Sequence, residues 1–159
     1  MSTLENAIAI AATAHAGVLD KGGAPYIFHP LRVMFAVLDD AARLSGVDAA
    51  NIARNALIAA VLHDVIEDTD WTIERLRQQG FADEVLEALD ALTRRAGETY
   101  EAFCKRAARH PIARVVKRAD IQDNMNLARI PNPTPADEER RERYGRCLKL
   151  LDAQPSTPR

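Results

Sequence analysis

Apolar positions recur along this chain at intervals of three and four residues, the spacing of one face of a helix, and no stretch alternates as a half-buried strand would. The pattern predicts an all-α fold. Ser2 and Glu5 make a capping box that opens a first helix running to about Ala16. Gly22, Gly23 and Pro25 break any period between Gly17 and His29, so GVLDKGGAPYIFH is a loop. Pro30 suits the first position of a second helix, Leu31 to about Leu44, with His29 at or near its N-cap and Leu31, Met34, Phe35 and Leu38 as its core stripe. Gly46 and Asp48 separate it from a third helix that stops around Thr69 to Trp71. Thr72 caps a short helix to Gln79, which Gly80 stops, and Asp83 to Leu92 supplies Val85, Leu86 and Leu89 to the core. Thr99 caps a helix to His110, Ile112 to Ile130 is the next, and Thr134 with Pro135 opens a last, charged helix to about Asp152. In that helix the DEERRER run reads as a solvated face, and Tyr144 can point inward. His15 and His110 fall at helix ends and are read as helix-terminal residues.

One segment does not fit a plain amphipathic pattern. In Leu57 to Asp68, LIAAVLHDVIED, eight of twelve residues are apolar, so the helix must lie inside the protein, yet it carries four polar groups. At about 100° per residue, with His63 at zero, Glu67 falls near 40°, Asp64 near 100° and Asp68 near 140°. The charge therefore occupies one wedge, which lines a cavity while Ile58, Leu62, Val65 and Ile66 pack on the other side. An unpaired buried carboxylate protonates or recruits a partner, and His plus carboxylates suit a divalent metal or a cation cluster. A helix end at which Asp and His satisfy backbone groups is the plainer alternative. A second wedge appears where Lys117, Asp120 and Asn124 share a helix face.

Composition narrows the setting. The 159 residues, 47% of them hydrophobic, suffice for one domain with a sizeable core, taken as residues 1–152, followed by a disordered tail at 153–159. A formal charge of -2 gives no global attraction to nucleic acid or to a membrane. Locally, eight Lys or Arg stand against two Glu between Arg94 and Arg118. Cys104 and Cys147, without paired spacing, read as free thiols in a reducing compartment. The first helix lacks a basic leader and no apolar run approaches the roughly 20 residues of a membrane span, so a soluble, cytoplasmic protein is expected.

His29, the His63-Asp64 doublet and Asp120 form a set of two histidines and two carboxylates that suits a first-row divalent ion with water in its remaining positions. Such an ion activates water and polarises a phosphoryl oxygen, which makes phosphate ester hydrolysis the natural reaction. No P-loop, HExxH, CxxC or Ser/His/Asp order competes with it.

In that order the four residues resemble the HD-domain metal phosphohydrolases. More closely, GAPYIFHP, VLHDVIEDT and VVKRADIQDNM resemble the hydrolase domain of the RelA/SpoT proteins in its stand-alone form, the small alarmone hydrolases, over roughly residues 4 to 151. The resemblance implies a single HD-domain helical bundle that binds Mn²⁺ through His29, His63, Asp64 and Asp120. It implies removal of the 3′-pyrophosphate of guanosine tetra- or pentaphosphate, leaving GDP or GTP. Glu67 and Asp68 match the pair that positions and deprotonates the attacking water. Lys117, Asn124 and Tyr144 match residues near the nucleotide, and Arg94 matches a basic residue after a Thr. In the first loop the family usually carries an Arg-Lys pair; here Asp20-Lys21 stands there, so Lys21 alone is carried over as substrate-binding. Ile121 and Asn126 also depart from the basic residues common at those positions. These departures leave two alternatives: hydrolysis of another phosphorylated nucleotide, such as NADPH or a nucleoside monophosphate, and a non-catalytic nucleotide-binding module.

Overall fold

The computed structural model describes residues 1–41 and 49–153. The end of the second helix near Leu44, the Gly46-Asp48 break and most of the tail lie outside the described residues. The described chain is all-α, in nine α-helices: α1 Leu4–Ala14, α2 Phe28–Ala41, α3 Ala49–Leu62, α4 Val65–Asp68, α5 Ile73–Gln78, α6 Asp83–Leu92, α7 Tyr100–Arg109, α8 Pro111–Asn124 and α9 Pro135–Asp152. Among these residues the sole extended pairing is an isolated bridge between Leu19 and Pro25.

The centre of the bundle is α3, packed against α1, α2, α6 and α8. Its Ala59, Ala60, Val61 and Leu62 are fully buried, and small residues at 59 and 60 let neighbouring helices approach closely. Each fully buried leucine or valine contributes about 1.5–3 kcal/mol of transfer free energy. By length and composition Ala49–Asp68 does reach what a membrane span requires, which corrects the expectation that no run does. Half of that segment is buried inside the protein, as suits a core helix.

Several local expectations change. The N-cap of α1 is Thr3, whose hydroxyl accepts from the Asn6 amide, and Ser2 instead accepts from the Asn6 side chain. In α2, Val33, Met34 and Val37 are buried while Phe35 and Leu38 are exposed, because the core-facing stripe is rotated from the anticipated one. The helix expected to run unbroken to Ile130 ends at Asn124, and a 3₁₀ turn, Leu127–Arg129, follows under an Asn126 cap.

The cysteine reading is overturned. Cys104 of α7 and Cys147 of α9 are joined by a disulfide across a Cα separation of 5.7 Å. With Ala108, Ile121 and Leu151 they form a second, smaller core beneath α7 and α9. Forty-three residues separate them in sequence, so spacing alone carried no sign of the pairing, and the cysteines lend no support to a reducing compartment. Closing so long a loop restricts the unfolded chain, and Cys147→Ser is expected to lower unfolding free energy by about 3 kcal/mol. Urea unfolding should show the same loss in reduced wild type; equal midpoints for reduced and oxidised protein would contradict the cross-link.

Candidate metal and nucleotide site

The segment expected to be one helix through His63 is interrupted there. His63 Nδ1 lies 2.8 Å from the Ala60 carbonyl, the acceptor that residue 64 would use in an unbroken helix, and α4 starts only at Val65. A carbonyl can only accept, so Nδ1 carries the hydrogen and Nε2 keeps its lone pair. That Nε2 is buried and has no hydrogen-bond partner among the described residues. His29, in the first turn of α2 rather than outside it, repeats the arrangement: its Nδ1 lies 2.7 Å from Asp123 Oδ2.

The two Nε2 atoms converge. Asp64 Oδ2 lies 3.5 Å from that of His29 and 3.1 Å from that of His63; Asp120 Oδ1 lies at 3.2 and 3.6 Å. Donors sharing one ion through bonds of about 2.1 Å sit about 3 Å apart as neighbours. The ligand atoms of His29, His63 and Asp64 all fall within 4.8 Å of one another. An orphaned, buried Nε2 facing two carboxylates fits a divalent cation, and these four residues could hold one.

The electrostatics agree with a site built for positive charge. Burial works against ionisation of Asp64, but the electrostatic pull of the adjacent His63 holds its pKa down to about 2. Burial likewise opposes charge on His63, and Asp64 and Asp120 outweigh it, raising its pKa. Asp120 is fixed by Lys117 at 2.8 Å and by the Asn124 amide at 2.6 Å, so the second polar wedge is an anchor for this carboxylate. The Tyr26 hydroxyl donates to Asp64 Oδ2 at 2.6 Å. Its ring also lies, tilted, 4.9 Å from that of His15, which caps the C-terminus of α1 as expected of a helix-end residue and is buried at the site's edge.

A cavity of about 550 Å³ opens in front of these groups. Ten of the eleven residues singled out from the sequence line it: Lys21, His29, Asp64, Glu67, Asp68, Arg94, Lys117, Asp120, Asn124 and Tyr144, with His63 behind them. Glu67 and Asp68 are exposed to the cavity one turn beyond Asp64. Desolvation, then the charges of Asp64 and Glu67, push the Asp68 pKa up. Glu67 accepts from the Arg94 amide at 3.3 Å, while the Arg94 guanidinium is turned to the Glu98 carbonyl. Lys21 is paired with Asp137 at the start of α9.

Sequence reasoning missed Arg129, Arg140, Arg143 and Tyr26 as lining residues. The DEERRER run is thus only partly a solvated face, since Arg140 and Arg143 look into the cavity and Arg143 stacks on Tyr100, 5.0 Å from the ring centre. Asp123 was also missed: it accepts from Arg32 Nε and Nη2, at 2.7 and 3.0 Å, and from Arg129 at 3.0 Å.

No family model matches the chain. Relatives do. A Mycobacterium leprae protein named probable GTP pyrophosphokinase is 35% identical over 151 residues, covering 89% of this chain and 18% of its own length. The Drosophila melanogaster guanosine-3′,5′-bis(diphosphate) 3′-pyrophosphohydrolase MESH1 is 30% identical over 129 residues, covering 79% of this chain and 68% of its own. The chain belongs to the RelA/SpoT family. It is an HD-domain-like hydrolase module of that family, and it spans less than a fifth of the long mycobacterial relative. A solved structure of a metazoan ortholog of SpoT, described as hydrolysing ppGpp, superposes with a TM-score of 0.69 over 95% of this chain and 84% of its own. At 24% identity that likeness speaks for the fold. The RelA/SpoT module therefore combines a shared helical frame with a two-histidine, two-carboxylate cluster at the floor of a polar cavity.

Proposed function

We propose that this module is a Mn²⁺-dependent hydrolase that removes the 3′-pyrophosphate of guanosine tetra- or pentaphosphate, giving GDP or GTP and pyrophosphate. The observation that carries the reading is the convergence of the two histidine Nε2 atoms, that of His63 without a hydrogen-bond partner, on Asp64 and Asp120 beside Glu67 and Asp68. His29, His63, Asp64 and Asp120 would hold the ion, and when bound it supplies Lewis acidity toward water and a phosphoryl oxygen.

The chain's own groups supply the rest. Asp68, with its raised pKa, takes a proton from the attacking water while Glu67 orients that water. The water oxygen joins phosphorus, the bond from phosphorus to the ribose 3′ oxygen breaks, and the leaving oxygen is protonated to the 3′ hydroxyl. Buried Lys117 is held charged, chiefly by Asp120 against the pull of burial, and it brings positive charge to the edge where phosphate would lie. Arg94, Arg140 and Arg143 line the outer cavity and suit the remaining phosphates. Lys21, Asn124 and Tyr144 complete the wall that would meet the nucleotide.

Incubating the protein with guanosine tetraphosphate and Mn²⁺, and following products by chromatography, should show GDP and pyrophosphate in equal amounts. NADPH and nucleoside monophosphates belong in the same panel, because Asp20 replaces a family arginine and its carboxylate is spent on the Gly22 and Ala24 amides. Turnover of one of those with the alarmone left intact would move the reading to another nucleotide. Binding without turnover of any would make the protein a sensor.

A further inference from the structure

Asp123 belongs to neither the proposed ion-holding set nor the cavity wall, yet it is the most heavily bonded carboxylate near the site. Its Oδ2 is 2.7 Å from His29 Nδ1. Arg32 grips both oxygens, and Arg129 reaches Oδ2 and, at 2.6 Å, the Asp123 carbonyl. Arg129 in turn lies 3.5 Å from Asp20, whose carboxylate organises the loop before His29.

We infer that Asp123 is a positioning residue that holds His29 in the Nδ1–H tautomer, so that its Nε2 lone pair is presented to a divalent ion. Two guanidinium groups keep this carboxylate anionic, and an anion can only accept, so the hydrogen must stand on Nδ1. The paired histidine achieves the same orientation with a neutral partner, the Ala60 carbonyl. The two ligands are therefore not equivalent: His29 is made the more electron-rich donor by a charged neighbour, and its orientation depends on a side chain that mutation can remove. The same carboxylate ties His29, through Arg129 and Asp20, to the loop that borders the cavity, so the ion-binding end and the loop share one anchor.

The inference rests on the metal-centre reading, and Mn²⁺ binding to the full chain, followed by electron paramagnetic resonance, separates the two. In Asp123→Ala the Mn²⁺ dissociation constant is expected to rise about 10- to 100-fold. Asp123→Asn, which keeps an acceptor of the same shape without the charge, should fall between Ala and wild type. Arg32→Ala disturbs the same cluster but leaves Asp123 on His29, and should shift affinity by less than about 3-fold. Far-UV circular dichroism confirms which variants are folded; if the alanine variant does not fold, the asparagine variant decides by the same ordering. Variants that bind Mn²⁺ as wild type does would overturn the positioning role alone. Wild type that binds no Mn²⁺ would overturn the metal centre and the positioning role with it.

Discussion

Asp64→Ala should lose Mn²⁺ binding and hydrolysis together. Asp64 Oδ2 is the oxygen nearest His63 Nε2 and it also faces His29 Nε2, so removing it takes away the anion that joins the two histidines. What remains is a pair of imidazoles and Asp120, whose charge is already shared with Lys117 and Asn124. Losing an outer partner of a metal ligand costs 10- to 100-fold in affinity, and losing a ligand should cost more than about 100-fold. The metal-free fold is less affected, because the hydrophobic floor formed by Ala59 to Leu62 is untouched. Equilibrium dialysis with Mn²⁺ and a hydrolysis assay on the same sample test this. A variant that keeps full activity with no measurable ion would sink the assignment.

Glu67→Ala should do the opposite, keeping Mn²⁺ and losing turnover. Glu67 lies one turn past Asp64, exposed to the cavity and accepting from the Arg94 amide, so it stands outside the enclosed cluster. If it orients the attacking water beside Asp68, kcat should fall about 10²- to 10⁴-fold. Mn²⁺ affinity should stay within a few-fold of wild type. Wild-type kcat in this variant would remove the water-handling role, and nucleotide binding unchanged alongside absent turnover in wild type would point to a sensor. Asp64 and Glu67 thus separate holding an ion from using water, although three positions apart in sequence.

Much of this arrangement was legible in the chain because the clue was a conflict. A helix segment as apolar as Leu57 to Ile66 should not carry His63 and Asp64, and angular position put Glu67 and Asp68 in the same wedge. Helix boundaries such as Thr72, Gly80, Thr99 and Thr134 were readable because capping is local chemistry. The misses share the opposite character. The Cys104–Cys147 bond, the Asp123–His29 contact and the pairing of Lys21 with Asp137 join positions 43, 94 and 116 residues apart, and no local pattern encodes them. Phe35 and Leu38 were misplaced because both faces of α2 are apolar, so periodicity could not say which one is buried. Arg140 and Arg143 looked like solvated charge for the same reason: a charged helix face reads alike whether it meets water or a polar cavity.

The most direct test is the position of the ion itself. Crystals grown with Mn²⁺ and measured at the manganese absorption edge should show one anomalous peak enclosed by His29 Nε2, His63 Nε2, Asp64 and Asp120, with Glu67 and Asp68 facing it across the cavity. A peak elsewhere, or none at a Mn²⁺ concentration that supports hydrolysis, would contradict the account.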